Sequence, residues 1–410
     1  MEKSEVWVTG IGVVSSLGEG LEPHWTQLTT GKVPEPSVDA EDQAPYLVHP
    51  IVDFSLETQI PKRSDQRQMG PWQHLGTYAA GLALDDAGIS HNEELLAQTN
   101  MIVAAGGGER DIEVDVAIME KLSEVDDPAV QLNASLMGEL RPTLFLAQLS
   151  NLMAGNISIV HGVTDSSRTF MGEEMAGVSA IETAVAQIQH GQGDVFLVGG
   201  AYLAERADMT MLMEFGQALW QGEQGSVWSR EDSKGGMIMG SAGTFLVLES
   251  RKHAEARGIK PYARIKNVVS DRCNREPGRA HEVADKLLDK IVDQIPKGPL
   301  AVLTGCCGVQ PQLSEEHDFL NSLSDHGIKP AIRAVTTVFG NTMEAQFPLN
   351  VAMASLAISK GAFFDPFDDS GNEQDFSGNP EHILISTWGH WRGESLALLD
   401  TPDVPLRGKE

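Results

Sequence analysis

Between Arg168 and Ala201 the chain reads RTFMGEEMAGVSAIETAVAQIQHGQGDVFLVGGA, the stretch that most narrows its possible folds. A short strand leads to a tight turn at Gly172, and a long helix with one apolar face then runs until Gly191 and Gly193 stop it. A buried strand, Val195 to Val198, follows. The start of such a helix favours chemistry: its first N–H groups lack partners and its dipole favours negative charge, so a thiolate or an oxyanion is stabilised there. Glu173 and Glu174 stand at that point.

The pattern recurs. A shift that brings Gly172 onto Gly340 also brings Met175 onto Met343, Ala184 onto Ala352, Ala186 onto Ala354 and Gly193 onto Gly361. In both copies the helix is followed by a strand, a Gly-containing turn and a second strand: Val195 to Gly199 then Thr244 to Leu248, and Ile383 to Ser386 then Leu396 to Leu399. Two βαβ-rich halves packed on one another are expected, residues 1–258 and 259–410, with a site where the two helix N-termini converge.

The rest of the chain fits an α/β protein. Its 410 residues, 41% hydrophobic with 41 glycines, suffice for two core-forming units. No apolar run approaches the ~18 residues of a membrane span, and the opening MEKSEVWVTG lacks the basic-then-hydrophobic order of a leader; a cytoplasmic protein is expected. Cys273, Cys306 and Cys307 have no spacing suited to zinc and read as small core residues in a reducing compartment. Neither a cofactor nor a metal is expected. A formal charge of −28 argues against nucleic acid and anionic membrane as partners, since both require a cationic face. The basic clusters Lys62, Arg63, Arg67 and Arg251, Lys252, Arg257, Lys260 read as solvated surface.

Val6 to Ser16 reads as a buried strand bent at Gly10 and Gly12, without the third glycine of a dinucleotide fingerprint. Trp72 to Gly88 has the spacing of a core-facing helix. The triplet Gly106 to Gly108 ends a strand and precedes Glu109, Asp111, Glu113 and Asp115, which would repel a phosphate; a tight turn is the better reading.

These stretches resemble the β-ketoacyl-acyl-carrier-protein synthases, which open V-x-V-T-G-x-G-x-V-S-x-x-G and carry their nucleophile in T-A-C-x-S-G-x-x-A-I before G-x-x-D-V-x-L-x-G-G. SNLMAGNISIV from Ser150 and KGGMIMGSAGTFLVLE up to Glu249 are similar to further family motifs, with Gly235 replacing an aspartate and Ser241 a glutamate. The resemblance implies the thiolase-like α/β fold, a five-layer αβαβα sandwich of two duplicated halves. It also implies that the catalytic set is lost. Glu174 takes the place of the acyl-accepting cysteine, Gly305 that of the first histidine, Asn341 that of the second and Thr336 that of a lysine. Such synthases need a thiolate for the acyl chain and imidazoles to stabilise the enolate oxygen. His390 falls on the family's gate phenylalanine, with Trp391 and Arg392 where glycines are kept, which should stiffen and occlude that loop. Each replacement alone has an ordinary explanation: Glu174 stabilises a helix start, Asn341 caps, and His390 is structural.

What the resemblance implies for function is a non-condensing subunit akin to a chain-length factor, paired with a cysteine-containing synthase in fatty acid or polyketide biosynthesis. It would shape an acyl tunnel whose stops include Met137, Phe145, Leu146 and Met153, with Phe339 and His390 as further pocket or gate candidates. Acyl carrier protein would dock through the partner. Two alternatives stand beside this: an acyltransferase that condenses or decarboxylates malonyl groups using Glu174, for which the motifs offer no oriented partner to the base, and a homodimeric acyl-binding scaffold.

Overall fold

Strand β1 (Val6–Ser15) is buried along its whole length, as an apolar run must be when both faces of its sheet are covered. A Cβ on Gly12 would stand 2.1 Å from the carbonyl oxygen of Ala79 in helix α1 (Pro71–Asp86), so helix and strand cross closer than any side chain permits. The computed structural model describes residues 3–139 and 146–408.

One hydrogen-bonded array of 11 strands, counting the short Gly18–Glu19 strand paired with β1, divides into two sheets; the first holds β1 with β2 (Asn100–Ala105), β3 (Ser167–Met171), β4 (Val195–Tyr202) and β5 (Ala242–Ser250). The second sheet holds β6 (Ala263–Asp271), β7 (Gly298–Thr304), β8 (Ile328–Ala334), β9 (His382–Trp388) and β10 (Glu394–Asp400). Across the first sheet the order is β3-β2-β4-β5-β1, and across the second β8-β7-β9-β10-β6. Counted along the chain, both read third, second, fourth, fifth, first. The inner pairs β2·β3, β2·β4, β7·β8 and β7·β9 are parallel, while β4·β5 and β9·β10 are antiparallel. The duplication glimpsed in scattered residues is thus complete in topology. A short antiparallel pairing of Val6–Val8 with Ala263–Ile265 joins the two sheets edge to edge.

Helices α2 (Leu152–His161), α3 (Glu174–Gln189), α4 (Arg279–Asp289), α5 (Gln312–Ser322) and α6 (Gln346–Lys360) build the remaining layers. One core packs α1 and α2 on the outer face of the first sheet, a second packs α4 and α5 on the outer face of the other, and the largest encloses α3 and α6 between the sheets. The result is the αβαβα sandwich. Every residue of α6 except Lys360 is buried, as expected of a helix walled in on all sides. A Cβ on Gly177 would meet the Glu344 carbonyl oxygen at 2.6 Å and Pro348 Cδ at 2.7 Å, so the central helices touch through backbone near their N-termini.

Outside the sandwich, the helices Ile112–Ser123 and Pro128–Gly138 pack on each other and leave Val116, Met119, Val130, Leu132, Leu136 and Met137 exposed. Among the described residues no helix is long and apolar enough to cross a membrane. Two arginines of the second basic cluster form ion pairs: Arg251 reaches Glu255, Asp403 and Glu5, and Arg257 reaches the buried Glu249.

Candidate functional site

The repeat of topology brings the N-terminal ends of α3 and α6 together, and the side chain at their meeting point is Glu174. It is the first residue of α3, after the turn in which Gly172 takes a φ of 149°, and it is 1% exposed. Asn341 Nδ2 donates to Glu174 Oε1 at 3.1 Å. From the opposite side His390 Nδ1 lies 3.0 and 3.1 Å from the two carboxylate oxygens, and the His390 backbone N–H donates to Oε1 at 3.3 Å. Three positions identified in the sequence therefore converge on one buried ion pair.

Burial opposes charge on both partners, yet their attraction and hydrogen bonds outweigh it. The Glu174 carboxyl is held below its usual range, helped by its own helix-end N–H and by Asn341, and the His390 imidazole is held above its own. His390 is the oriented partner that sequence motifs did not reveal. Asn341 does not cap α6: its Oδ1 accepts from the Met343 N–H, and Gln346 accepts from Thr342.

Other sequence assignments shift. A side chain at Gly305 would run into Asn350, Gln346 and Thr387. In the same GCCGV turn Cys307 lies within electrostatic reach of Glu174. Burial, reinforced by the Glu174 charge, pushes the Cys307 thiol up to about 12, and burial also raises Cys306. Neither supplies a thiolate at neutral pH. Thr336 is buried and donates to the Cys306 carbonyl at 2.6 Å. Phe339 stacks on His24 in the core, ring centroids 5.8 Å apart. Cys273, expected in the core, sits partly exposed beside Glu394 and Arg275.

The loop between β9 and β10 closes over Glu174 differently from the sequence expectation. Trp391 is 64% exposed and Arg392 is exposed too, so both point outward, and the residue that plugs the site is His390. Gly393, with φ 92°, presses on Met175, where a Cβ would stand 2.4 Å from Met175 Cγ. Arg275 pairs with Glu394 and donates to the Gly389 and Gly393 carbonyls, the latter at 3.3 Å. No motif pointed to Arg275.

Glu344 was missed as well. It is buried beside Gly106, where a Cβ would come within 2.9 Å of its Oε1, and its other oxygen has no protein partner. Burial, with Glu174 and Glu173 nearby, pushes its carboxyl up to about 8, so it stays protonated at neutral pH. An acid amid the apolar opening of α6 was the available signal. Ser241, where the resemblance implies a glutamate, donates to Glu205 and accepts from the Ala204 N–H at 2.7 Å, so a carboxylate reaches that point from another segment.

The tunnel candidates scatter. Met153 is fully buried between α2 and α1, its sulfur filling the space beside Gly76. Met137 is 83% exposed and Leu146 half exposed on the outer surface, and Phe145 lies outside the described residues.

A family model described as the N-terminal domain of beta-ketoacyl synthases matches residues 3–254. The 3-oxoacyl-[acyl-carrier-protein] synthase 2 of Vibrio harveyi is 29% identical over 277 residues, 65% of this chain and 62% of that protein, so the match spans about three fifths of such relatives. The oxytetracycline polyketide putative beta-ketoacyl synthase 1 of Streptomyces rimosus is 24% identical over 87% of this chain and 85% of its own length. Among solved structures, the ishigamide ketosynthase/chain length factor superposes with a TM-score of 0.76 at 20% identity, covering 98% of this chain and 100% of the matched one. The structure titled PfaC keto synthase-chain length factor gives a TM-score of 0.77 at 16% identity, covering 99% and 49%.

Proposed function

Because the chain belongs to the beta-ketoacyl synthase family, we propose that it is a non-condensing subunit that pairs, as a chain-length factor does, with a synthase carrying the cysteine and histidines. The observation that carries this is the engagement of Glu174. At the family's nucleophile position a buried carboxylate is bound on both oxygens by His390 and on one by Asn341. A carboxylate so held is a poor acyl acceptor, and no thiolate is available nearby to replace it. Acyl chains would then be held in the partner, with this chain completing the tunnel wall. With a net charge of −28, an acidic carrier protein would dock on the partner's surface.

A second reading is favoured by one contact. His390, 3.0 Å from Glu174, provides the oriented partner that an acid–base pair acting on a malonyl thioester would need. Co-expression with a cysteine-containing synthase from the same source separates the two, with native mass and malonyl-dependent assays on each species. An inert chain that forms a one-to-one complex active in condensation supports the partner role, more so if substitutions on its surface alter product length. Decarboxylation by the chain alone, abolished in Glu174→Ala, would replace that role with the second reading.

A further inference from the structure

We infer that the Gly389–Gly393 loop is a lid whose tip is latched shut by the Glu174–His390 pair, and that the proton concentration of the solution sets and releases this latch. The inference does not depend on a partner subunit. Its basis is the division of labour within the loop. The base is fixed from outside: Gly389 N–H donates to the Gly393 carbonyl at 2.9 Å, and Arg275 binds Glu394 and both glycine carbonyls. The tip is different. Trp391 and Arg392 face solvent, and the polar anchor of the tip to the body of the protein is His390, through its ring and its backbone N–H, both to Glu174. Glycines flank the tip on each side, and Gly393 already occupies a left-handed φ of 92°, so the backbone can turn there without a side chain resisting.

Charged and titratable groups surround the latch from each neighbouring element. Glu173 precedes Glu174 on α3, and Arg275 approaches from the segment after β6. Glu394 begins β10 behind Arg275, Cys307 comes from the turn after β7, and Glu344 and Tyr202 lie beneath Glu174. Of these, Glu344, Cys307 and Tyr202 are neutral at pH 7, their protons retained by burial. Arg275 opposes protonation of His390 while Glu173 and Glu174 favour it, and burial, the largest influence, opposes it too; the outcome is an imidazole held above its ordinary range.

The sign follows. A histidine whose folded pKa is raised contributes its stabilisation below the unfolded value and loses it as pH rises through the folded value. Glu174, held below its usual range, fails only at the acidic end. The lid is thus shut around neutrality and loosens on the alkaline side.

Amide hydrogen exchange of the peptide spanning residues 386–395, in the full chain from pH 6 to 9 and corrected for intrinsic chemistry, tests this with β1 as internal reference. Wild-type lid amides are expected to be protected near pH 6 and then to lose protection by up to about tenfold per pH unit above the folded pKa of His390. In Glu174→Gln they should exchange roughly tenfold or more faster at pH 6 and without that pH dependence. His390→Gln, which keeps a neutral donor, should also be flat with pH, and serves if Glu174→Gln does not fold. Wild-type protection that is constant from pH 6 to 9, or equal in wild type and variant, would overturn the latch.

Discussion

A carboxylate at the first turn of a helix is stabilised by the unpaired N–H groups there, so Glu174 alone carries little functional information. Its significance lies in what binds it. Because Asn341 and His390 both direct donors at a group that is 1% exposed, removing the carboxylate strands two buried polar side chains at once. Glu174→Ala is therefore expected to lower stability by about 2–4 kcal/mol, read as a lower urea midpoint with an unchanged m-value. Glu344 should behave oppositely. Its folded pKa of about 8 lies above that of an unfolded glutamate, so the folded state binds more protons between the two values and stability falls as pH rises through that window. Glu344→Gln should remove up to about 1.4 kcal/mol per pH unit of this slope, visible as a flatter plot of urea stability from pH 5 to 8.

Elements set where those residues meet. The contact of α3 with α6 runs through Gly177, where an added methyl would lie 2.6 Å from a backbone oxygen that cannot swing aside. Gly177→Ala should push the helices apart at the end that carries Glu174 and Asn341. The expected cost is about 1–3 kcal/mol of stability, with faster exchange of the 386–395 peptide as the accompanying sign of a loosened site. The strand order explains why helix starts converge. In each half the helix after the third strand must cross over to the fourth, and both crossovers are placed between the sheets. Periodicity announced the two helices and their flanking strands. The β9–β10 loop was legible only as a likeness to a gate, and its sequence suggested that Trp391 and Arg392 would fill it. Sequence order cannot tell which side chains of a short loop turn inward; contact with the rest of the fold decides.

For the whole molecule, the two helices Ile112–Ser123 and Pro128–Gly138 present an apolar surface that the sandwich does not cover. Uncovered apolar area of this kind marks an association surface. Light scattering of the purified chain should show self-association that falls when Met119→Glu and Met137→Glu are combined. The same double substitution should weaken pairing with a cysteine-containing synthase. If neither changes, the proposed subunit pairing does not use these helices. Adding two charges to a chain already at −28 raises general repulsion, so a matched pair of glutamates placed at exposed Thr30 and Val33 provides the control.

The sequence by itself determined the α/β class and, through its resemblance, the fold. Apolar periodicity, glycine punctuation and a repeated helix–strand–strand order are local properties of the chain, and together they point to two βαβ-rich halves. That Glu174 and Asn341 stand where the resemblance implies a cysteine and a histidine was equally open to reading, because a motif preserves spacing. Only the tertiary structure decided what those residues do. His390 and Glu174 are far apart along the chain, as are Arg275 and Glu394, and no spacing rule relates them. Glu344 looked unremarkable until burial raised its pKa. Each of these depends on burial and on charge acting through space, quantities that exist only after distant segments have been packed together.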